Sequence, residues 1–160
     1  MEPRLIEIFV ESARSVLESL GLAPLTVGEI TLVSAHRGDG EVRSCVSLAG
    51  EKTVGNMLVG FERETVLAVA SAMLCEQQGE LNDDVLSVVG EVTNMVCGDA
   101  KRRLSELGIV VGMARPELLP PGAPAPELLG DGEAAVFPCS CAGGAFYVSV
   151  DFGAVSSGRR

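Results

Sequence analysis

Aromatic residues and histidine are scarce in this sequence. Tryptophan is absent, tyrosine and histidine each occur once, and five phenylalanines supply the remaining aromatic rings. The core must therefore be built mostly from Val, Leu, Ile, Met and Ala. The single histidine, His36, lies in a predicted turn without an evident partner, so neither a Ser-His-Asp nor a Cys-His catalytic arrangement is supported. A Walker A loop and a G-x-G-x-x-G motif are also missing, which excludes the common phosphate-cradling loops.

Positive charge is scarce too. Twelve Lys and Arg residues stand against 22 Asp and Glu residues, for a formal net charge of −10 at pH 7. This balance provides no basic surface for nucleic acid or an anionic membrane. The N-terminal Met-Glu-Pro-Arg is not typical of a signal peptide, and no apolar run approaches the length of a membrane span. We therefore expect a cytoplasmic protein that binds neither nucleic acid nor membrane.

The cysteines are few, scattered and odd in number. Cys139 and Cys141 are close enough to share a metal, but structural zinc needs four ligands, and the chain has one histidine and no second close cysteine pair. A disulfide framework is not expected in a cytosolic chain. We predict five reduced thiols and no bound metal: Cys45, Cys75, Cys97, Cys139 and Cys141.

The chain has the length of one domain, which we place at 1–154, with 155–160 as a disordered tail. Apolar residues at helical spacing predict three helices: Pro3–Leu20, Glu62–Cys75 and Asp83–Leu107. Strand-like runs predict about six strands in a mainly antiparallel sheet: Leu25–Val33, Glu41–Leu48, Lys52–Phe61, Ile109–Met113, Ala134–Cys141 and Ala145–Phe152. The fold class is therefore α/β in the broad sense (α+β), with long helices packed on the sheet. Five of the eight prolines fall in 115–133, which predicts a long functional or disordered loop.

A weak internal repeat suggests two similar halves. The segment Leu17–Leu22 resembles Leu104–Ile109, and each is followed by a strand and later by a hairpin that ends in an apolar strand and Phe. This pattern predicts two helix–strand–hairpin units packed as pseudo-symmetric halves. The alternative is that two amphipathic helices with glycine stops look alike for physical reasons alone.

The segment Asp83–Leu107 has the strongest helix signals in the chain. Asn82 is a good N-cap residue, and Asp83 and Asp84 place negative charge in the first turn, where the helix dipole favours it. Gly108 follows the last apolar residue and suits a left-handed stop. The predicted buried face is Val85, Val88, Val89, Val92, Met95, Val96, Ala100 and Leu107.

A polar stripe lies opposite this apolar face. Glu91 and Asn94 are three residues apart and are therefore neighbours on it. Two glycines, Gly90 and Gly98, lie in or near the stripe, although a mid-helix glycine costs about 1 kcal/mol relative to alanine. A solvated helix face would explain the charges but not the glycines. The stripe consists of Asp84, Ser87, Glu91, Asn94, Gly98, Lys101 or Arg102, and Ser105.

Glu91-x-x-Asn94, followed by Gly98 and Ala100 on a helix that ends in Leu-Gly, resembles the CheX-like members of the CheC/CheX/FliY family, which dephosphorylate response regulators in bacterial chemotaxis. The similarity extends to Ala70–Leu74, to the Leu-Asn-Asp-Asp at 81–84 and to Phe146–Phe152, and covers about 5–152. CheC-like members carry two Glu-x-x-Asn sites and CheX-like members one. Arg4 and Glu7 occupy the repeat positions of Glu91 and Asn94, which favours a CheX-like chain.

The resemblance implies a function and a role for each site residue. Asn94 would enter the active site of a phosphorylated CheY-like receiver and orient the attacking water, and Glu91 would contact the receiver's lysine. Gly98 and Gly90 would allow close approach of the helix, and Ser87, Lys101 and Arg102 would contact the partner. The chain itself would bind no cofactor, because Mg²⁺ is expected on the receiver. The resemblance also implies a homodimer formed by sheet extension.

Two other functions stay open at this point. A non-enzymatic CheX-like module could dock on a response regulator or a flagellar switch component without hydrolysing anything. Thiol-based metal or redox sensing through Cys139 and Cys141 would require stoichiometric metal in the purified protein.

Overall fold

A computed structural model describes residues 1–130 and 132–154 and shows a mixed helix-and-sheet fold with antiparallel strand pairing. The predicted tail at 155–160 lies outside the described residues. Along the described chain the elements are α1 Pro3–Ser19, β1 Thr26–Val27, β2 Thr31–Val33, β3 Val42–Gly50, β4 Thr53–Phe61, α2 Arg63–Leu74, α3 Asp83–Glu106, β5 Val111–Met113, β6 Glu117–Leu119, β7 Ala134–Cys141 and β8 Gly144–Ala154. None of these helices is long and apolar enough to cross a membrane.

The described sheet has eight strands, whereas the sequence predicted about six. One of the two additional strands results from a bulge opposite Pro138. The predicted strand Leu25–Val33 is split in two because Pro138 has no backbone N–H with which to continue the ladder. Val27 pairs with Cys139 and Thr31 with Val136, so three residues on one strand oppose two on the other. The other additional strand is β6, which forms inside the segment predicted as a loop and pairs with β3.

The strand order reflects the internal repeat. The order is β1-β7-β8-β4-β3-β5, with β2 also on β7 and β6 also on β3. The two long hairpins, β3–β4 and β7–β8, meet at the centre, where β4 pairs with β8. The short strands that precede each hairpin pair with the hairpin of the other half: β1 and β2 pair with β7, and β5 and β6 pair with β3. The two predicted units therefore interleave across a pseudo-two-fold axis, and α2 lies between them in the sequence.

The main core fills the space between one face of the sheet and the helices. Strand residues alternate between faces, so Met57, Val59 and Phe61 of β4 point into this core while Leu58 points away. Phe9 of α1 packs on Phe152 of β8 with ring centroids 6.0 Å apart. In the absence of Trp, the fully buried side chains of greatest volume are Phe, Leu and Met, as the composition predicts.

The other face of the sheet carries a buried polar network covered by segments 34–40 and 120–130. Asp151 Oδ1 accepts hydrogen bonds from the Asn56 backbone N–H (2.8 Å) and from His36 Nε2 (2.9 Å). Its Oδ2 accepts from the backbone N–H groups of Gly130 (3.0 Å) and Leu129. His36 Nδ1 lies 2.8 Å from Ser149 Oγ.

The network corrects the sequence-based interpretation of His36. The prediction that His36 has no partner is wrong, because Ser149 and Asp151 lie more than a hundred residues away and reach it only through the sheet. The three residue types match a catalytic triad. However, all three residues are buried, so a substrate has no access to the Ser149 hydroxyl. Their role is to attach the 34–40 segment to β8.

Arg43 holds the proline-rich segment in a similar way. From β3 its guanidinium donates to the carbonyl oxygens of Gly38 (3.0 Å), Ala123 (2.7 Å) and Pro120 (2.8 Å). A buried arginine with three carbonyl acceptors is well satisfied. The described part of 115–133 is therefore ordered against the sheet, which excludes the disordered alternative for that part.

Candidate functional site

The ends of α3 follow the predicted capping chemistry. Asn82 Oδ1 accepts a hydrogen bond from the Val85 backbone N–H at 3.0 Å, and Asp83 and Asp84 occupy the first turn. The helix ends at Glu106, and Gly108 adopts φ +80°, the left-handed conformation that glycine tolerates. Both ends of the helix that carries the candidate site are thus fixed by local chemistry.

The faces of α3 are arranged mostly as the spacing predicts. Val88, Val92 and Val96 are buried, whereas Glu91 is exposed and Asn94 is half-buried at the surface. Thr93 is buried, and its hydroxyl donates to the Val89 carbonyl at 2.7 Å, so this residue next to the motif packs inward.

Leu107 and Met95 do not fit the predicted buried face. Leu107 is 38% exposed, and Leu104 takes its place in the core. The helix ends before Leu107, so the 100° spacing no longer applies to it. Met95 is partly exposed at the edge of the core.

Glu91 and Asn94 lie at a shallow surface depression between α3 and the edge of the sheet. The α3 wall includes Ser87 and Gly90 as well as these two residues. Within the described residues, the side chains of Glu91 and Asn94 form no hydrogen bond and no ion pair. A primary amide offers both donor and acceptor, and a carboxylate accepts charge-assisted hydrogen bonds. The arrangement is therefore free to bind a water molecule and a cationic partner group side by side.

The opposite wall comes from residues that the sequence analysis left without a role. Arg115, Pro116 and Leu118 line the depression, together with Leu86 of α3. The Pro116 ring faces Gly90, where an added Cβ would lie 3.9 Å from Pro116 Cγ. The sequence signal was the Arg-Pro that directly follows the predicted β5, but nothing in the sequence shows that β5 and β6 pair with β3 beside α3.

Apolar side chains flank the polar centre on both sides. A second depression beside Glu91 is lined by Met73 and Leu74 at the end of α2. Leu74 is 41% exposed and Leu118 is 38% exposed, which is high for leucines. The surface around Glu91 and Asn94 thus has a polar centre between two apolar margins.

The remaining residues predicted to bind a partner lie further along α3. Gly98 has open space where a side chain would be, with no atom within 4 Å of an added Cβ. Lys101 is exposed. Arg102 is paired within the helix, with Asp99 at 3.0 Å and Glu106 at 2.9 Å. The structure therefore brings Ser87, Gly90, Glu91 and Asn94 together and leaves these three residues outside the depression.

Asp99 organises the cationic end of the helix. Its carboxylate accepts from Arg103 Nε at 2.7 Å as well as from Arg102. Burial works against the charged form, but the hydrogen bonds from Arg103 and Arg102 outweigh it and lower the pKa of Asp99 below its ordinary value. Arg102 thus has local partners of its own.

The cysteines do not form a metal-binding cluster among the described residues. All five are unpaired thiols, and no group of three or more His, Cys, Asp or Glu in the described residues could hold a metal ion. Burial raises the pKa of the Cys45 thiol to about 11 and those of Cys97 and Cys139 to about 12. Such thiols are poor metal ligands and poor nucleophiles because both roles require the thiolate.

Comparison with known proteins places this geometry in a family. A protein of Thermotoga maritima named CheY-P phosphatase CheX is 27% identical over 121 residues, which are 74% of this chain and 77% of that protein. The structure of a CheC-like superfamily protein from Shewanella sp. PV-4 is similar, with 29% identity, a TM-score of 0.84, and 95% of this chain and 99% of the other covered. The chemotaxis protein CheX from Vibrio vulnificus has 28% identity and a TM-score of 0.82 over 93% of this chain and 99% of its own.

The family model described as chemotaxis phosphatase CheX matches residues 42–140. This segment contains α3, both walls of the depression and the central strand β4. The chain therefore belongs to the CheX family of chemotaxis phosphatases.

Proposed function

We propose that this protein dephosphorylates the aspartyl phosphate of a CheY-like response regulator and so terminates a chemotaxis signal. The observation that carries the proposal is the side-by-side placement of Glu91 and Asn94, both without partners in the described structure, at one surface depression of a rigid helix. Family membership and the curated relative, a CheY-P phosphatase, support the same substrate class.

Asn94 holds the attacking water in this mechanism. The Asn94 side-chain oxygen accepts from the water and the amide nitrogen can donate to a phosphoryl oxygen, which places the water in line with the bond to be broken. The water oxygen forms a bond to phosphorus as the bond to the aspartyl oxygen breaks. The products are inorganic phosphate and the free carboxylate. Mg²⁺ held by the receiver would offset part of the charge on the phosphoryl oxygens, and Asn94 contributes the positioning of the water.

Glu91 sets the docking register. Its exposed carboxylate is one residue from Gly90 and three from Asn94, so a lysine of the receiver that pairs with Glu91 brings the phosphoryl group towards Asn94. The apolar margins at Leu74 and Leu118 surround this contact and exclude water from it. Ser87 lines the same depression, whereas Gly98, Lys101 and Arg102 lie beyond it, further along α3.

The family resemblance further suggests a homodimer formed by sheet extension. In the described sheet, β2 is a short edge strand in which Leu32 and Val33 are exposed, and Ile30 directly before it is exposed as well. Exposed apolar edge strands tend to pair with another chain. The molar mass in solution, measured for the wild-type chain and for Leu32→Lys, tests this arrangement. If the two proteins have the same mass, pairing through β2 is excluded.

The decisive experiment compares turnover of a phosphorylated CheY-like receiver by the wild type, Asn94→Ala and Glu91→Ala at the same Mg²⁺ concentration. Losing a positioning group costs roughly 2.7–4 kcal/mol of transition-state stabilisation, which is a rate loss of about a hundredfold or more. Asn94→Ala should show this loss while keeping its binding to the receiver. Glu91→Ala should lose both binding and turnover, because a charge-assisted contact to the partner is removed.

The same experiment separates the enzyme from a non-enzymatic binding module. Both substitutions are at solvent-accessible positions, so the free energy of unfolding should change by only about 0.5 kcal/mol. Equal turnover by the wild type and Asn94→Ala would contradict the phosphatase mechanism. Binding without any turnover by the wild type would favour the binding module.

A further inference from the structure

The positive charge at the depression comes from Arg115, a residue without a partner in the described structure. Among the described residues, the Arg115 side chain donates no hydrogen bond and forms no ion pair. Other arginines are engaged, as in the three carbonyl contacts of Arg43 and the pairing of Arg102 and Arg103 with Asp99. Arg115 is exposed and lines the depression opposite Glu91 and Asn94.

The backbone around Arg115 is held on both sides. Before it, the Ala114 backbone N–H donates to the Ser47 carbonyl at 2.9 Å. After it, Glu117 pairs with Cys45 at the start of β6. Arg115 and Pro116 thus form a two-residue excursion, a short connection between β5 and β6 that projects from the edge of the sheet. The residues on both sides of this excursion are hydrogen-bonded to β3. A residue before proline is also restricted to extended conformations, which limits the directions available to the Arg115 side chain.

The excursion contacts α3 one helical turn from Asn94. Pro116 faces Gly90, and Gly90 and Asn94 are four residues apart on the same side of the helix. The long Arg115 side chain starts beside this point. Its guanidinium can therefore reach the region in front of the Asn94 amide without a change in the backbone.

The negative charge of the proposed substrate requires a cationic group such as Arg115 at this depression. An aspartyl phosphate brings several negative charges to a depression where Glu91 is also negative, on a chain whose formal net charge is −10. Neither an amide nor a carboxylate compensates that charge. Arginine presents a planar set of donors that matches two phosphoryl oxygens at once.

We propose that Arg115 binds the phosphoryl oxygens of the receiver's aspartyl phosphate and makes this protein selective for the phosphorylated form. The inference rests on the proposed function, because it takes the aspartyl phosphate as the substrate. Arg115 stabilises the charge on the equatorial oxygens, Asn94 positions the water, and Glu91 pairs with the receiver's lysine.

The test measures binding to a CheY-like receiver loaded with Mg²⁺ alone and with Mg²⁺ and beryllium fluoride, which mimics the phosphoryl group. Arg115→Ala should lose about tenfold or more of the wild-type affinity for the beryllium fluoride form and keep its affinity for the Mg²⁺ form. Arg115→Lys retains the charge but not the paired donors, and should recover part of the preference. Lys52→Ala, which removes an exposed positive charge at the turn between β3 and β4, serves as the control and should behave as the wild type.

Three outcomes would overturn the proposal. One is an Arg115→Ala variant that binds both forms as the wild type does and turns over phosphorylated receiver at the same rate. Another is an equal loss of affinity for both forms, which would place Arg115 against the receiver surface instead of the phosphoryl group. The third is a wild-type protein that binds both forms equally. If the wild type prefers the beryllium fluoride form but hydrolyses nothing, the phosphatase mechanism fails while the role of Arg115 in recognition stands.

Discussion

Replacing Gly98 with alanine should make the protein more stable and less active. An added Cβ at Gly98 meets no atom within 4 Å, so the substitution causes no overlap inside the chain. Alanine is favoured over glycine in a helix interior by about 1 kcal/mol. For a chain of this size, that gain corresponds to an increase in Tm of about 2–4 °C.

The loss of activity has a steric cause. Gly98 lies one turn beyond Asn94 on the same stripe, so a methyl group there would project towards a receiver docked as proposed. A displacement of about 1 Å at the reacting centre can cost on the order of a hundredfold in rate. We therefore expect Gly98→Ala to turn over phosphorylated receiver about tenfold to a hundredfold more slowly than the wild type, although it melts at a higher temperature.

A matched control separates stability from docking. Ser15 is an exposed residue of α1, and Ser15→Ala raises helix propensity away from the proposed interface. It should raise Tm slightly and leave turnover unchanged. The measurements are thermal unfolding and receiver dephosphorylation for the wild type and both variants. A Gly98→Ala variant that is stabilised and fully active would refute the reasoning that glycine is present for close approach.

Two further predictions concern the interior. Asp151→Asn, with the new amide nitrogen in place of Oδ2, faces the backbone N–H donors of Leu129 and Gly130. Because each buried donor left unsatisfied costs about 1–3 kcal/mol, the free energy of unfolding in urea should fall by about 2–6 kcal/mol for these two donors. Glu51→Gln, an exposed change in the β3–β4 turn, should have no effect, and an equally stable Asp151→Asn would contradict the role of the buried carboxylate. In native protein at pH 8, a thiol reagent should modify the exposed Cys75 first, while Cys97 and Cys139 stay protected. Because their raised pKa values keep them protonated until pH approaches about 12, rapid reaction of all five thiols at pH 8 would refute this assignment.

The sequence predicts best those features that depend on neighbouring residues. Asn82, Asp83, Asp84 and Gly108 act within one turn of the helix they bound, so both ends of α3 were predicted to within a residue. The same holds for β7, whose predicted bounds match those in the structure. Helical spacing also placed Glu91 and Asn94 together, because three residues along a helix fix their relation regardless of the rest of the fold.

Features that depend on distant residues were not predictable in this way. The break between β1 and β2 arises from Pro138, more than a hundred residues away, and the partners of His36 lie on β8. The second wall of the depression was missed for the same reason. Arg115 reaches the site only because β5 and β6 pair with a strand from the other half of the chain.

The exchange of strands between the two halves has a consequence for synthesis. Val59 of β4 pairs with Val148 of β8, which is 148 − 59 = 89 residues later in the chain. At a translation rate of about 5–20 residues per second, the backbone groups of β4 that pair with β8 stay unpaired for roughly 4–18 seconds. During that time α3 emerges, and its apolar face can pack on β3 of the waiting hairpin. The helix that carries Glu91 and Asn94 would thus protect the nascent hairpin before it acts on any partner.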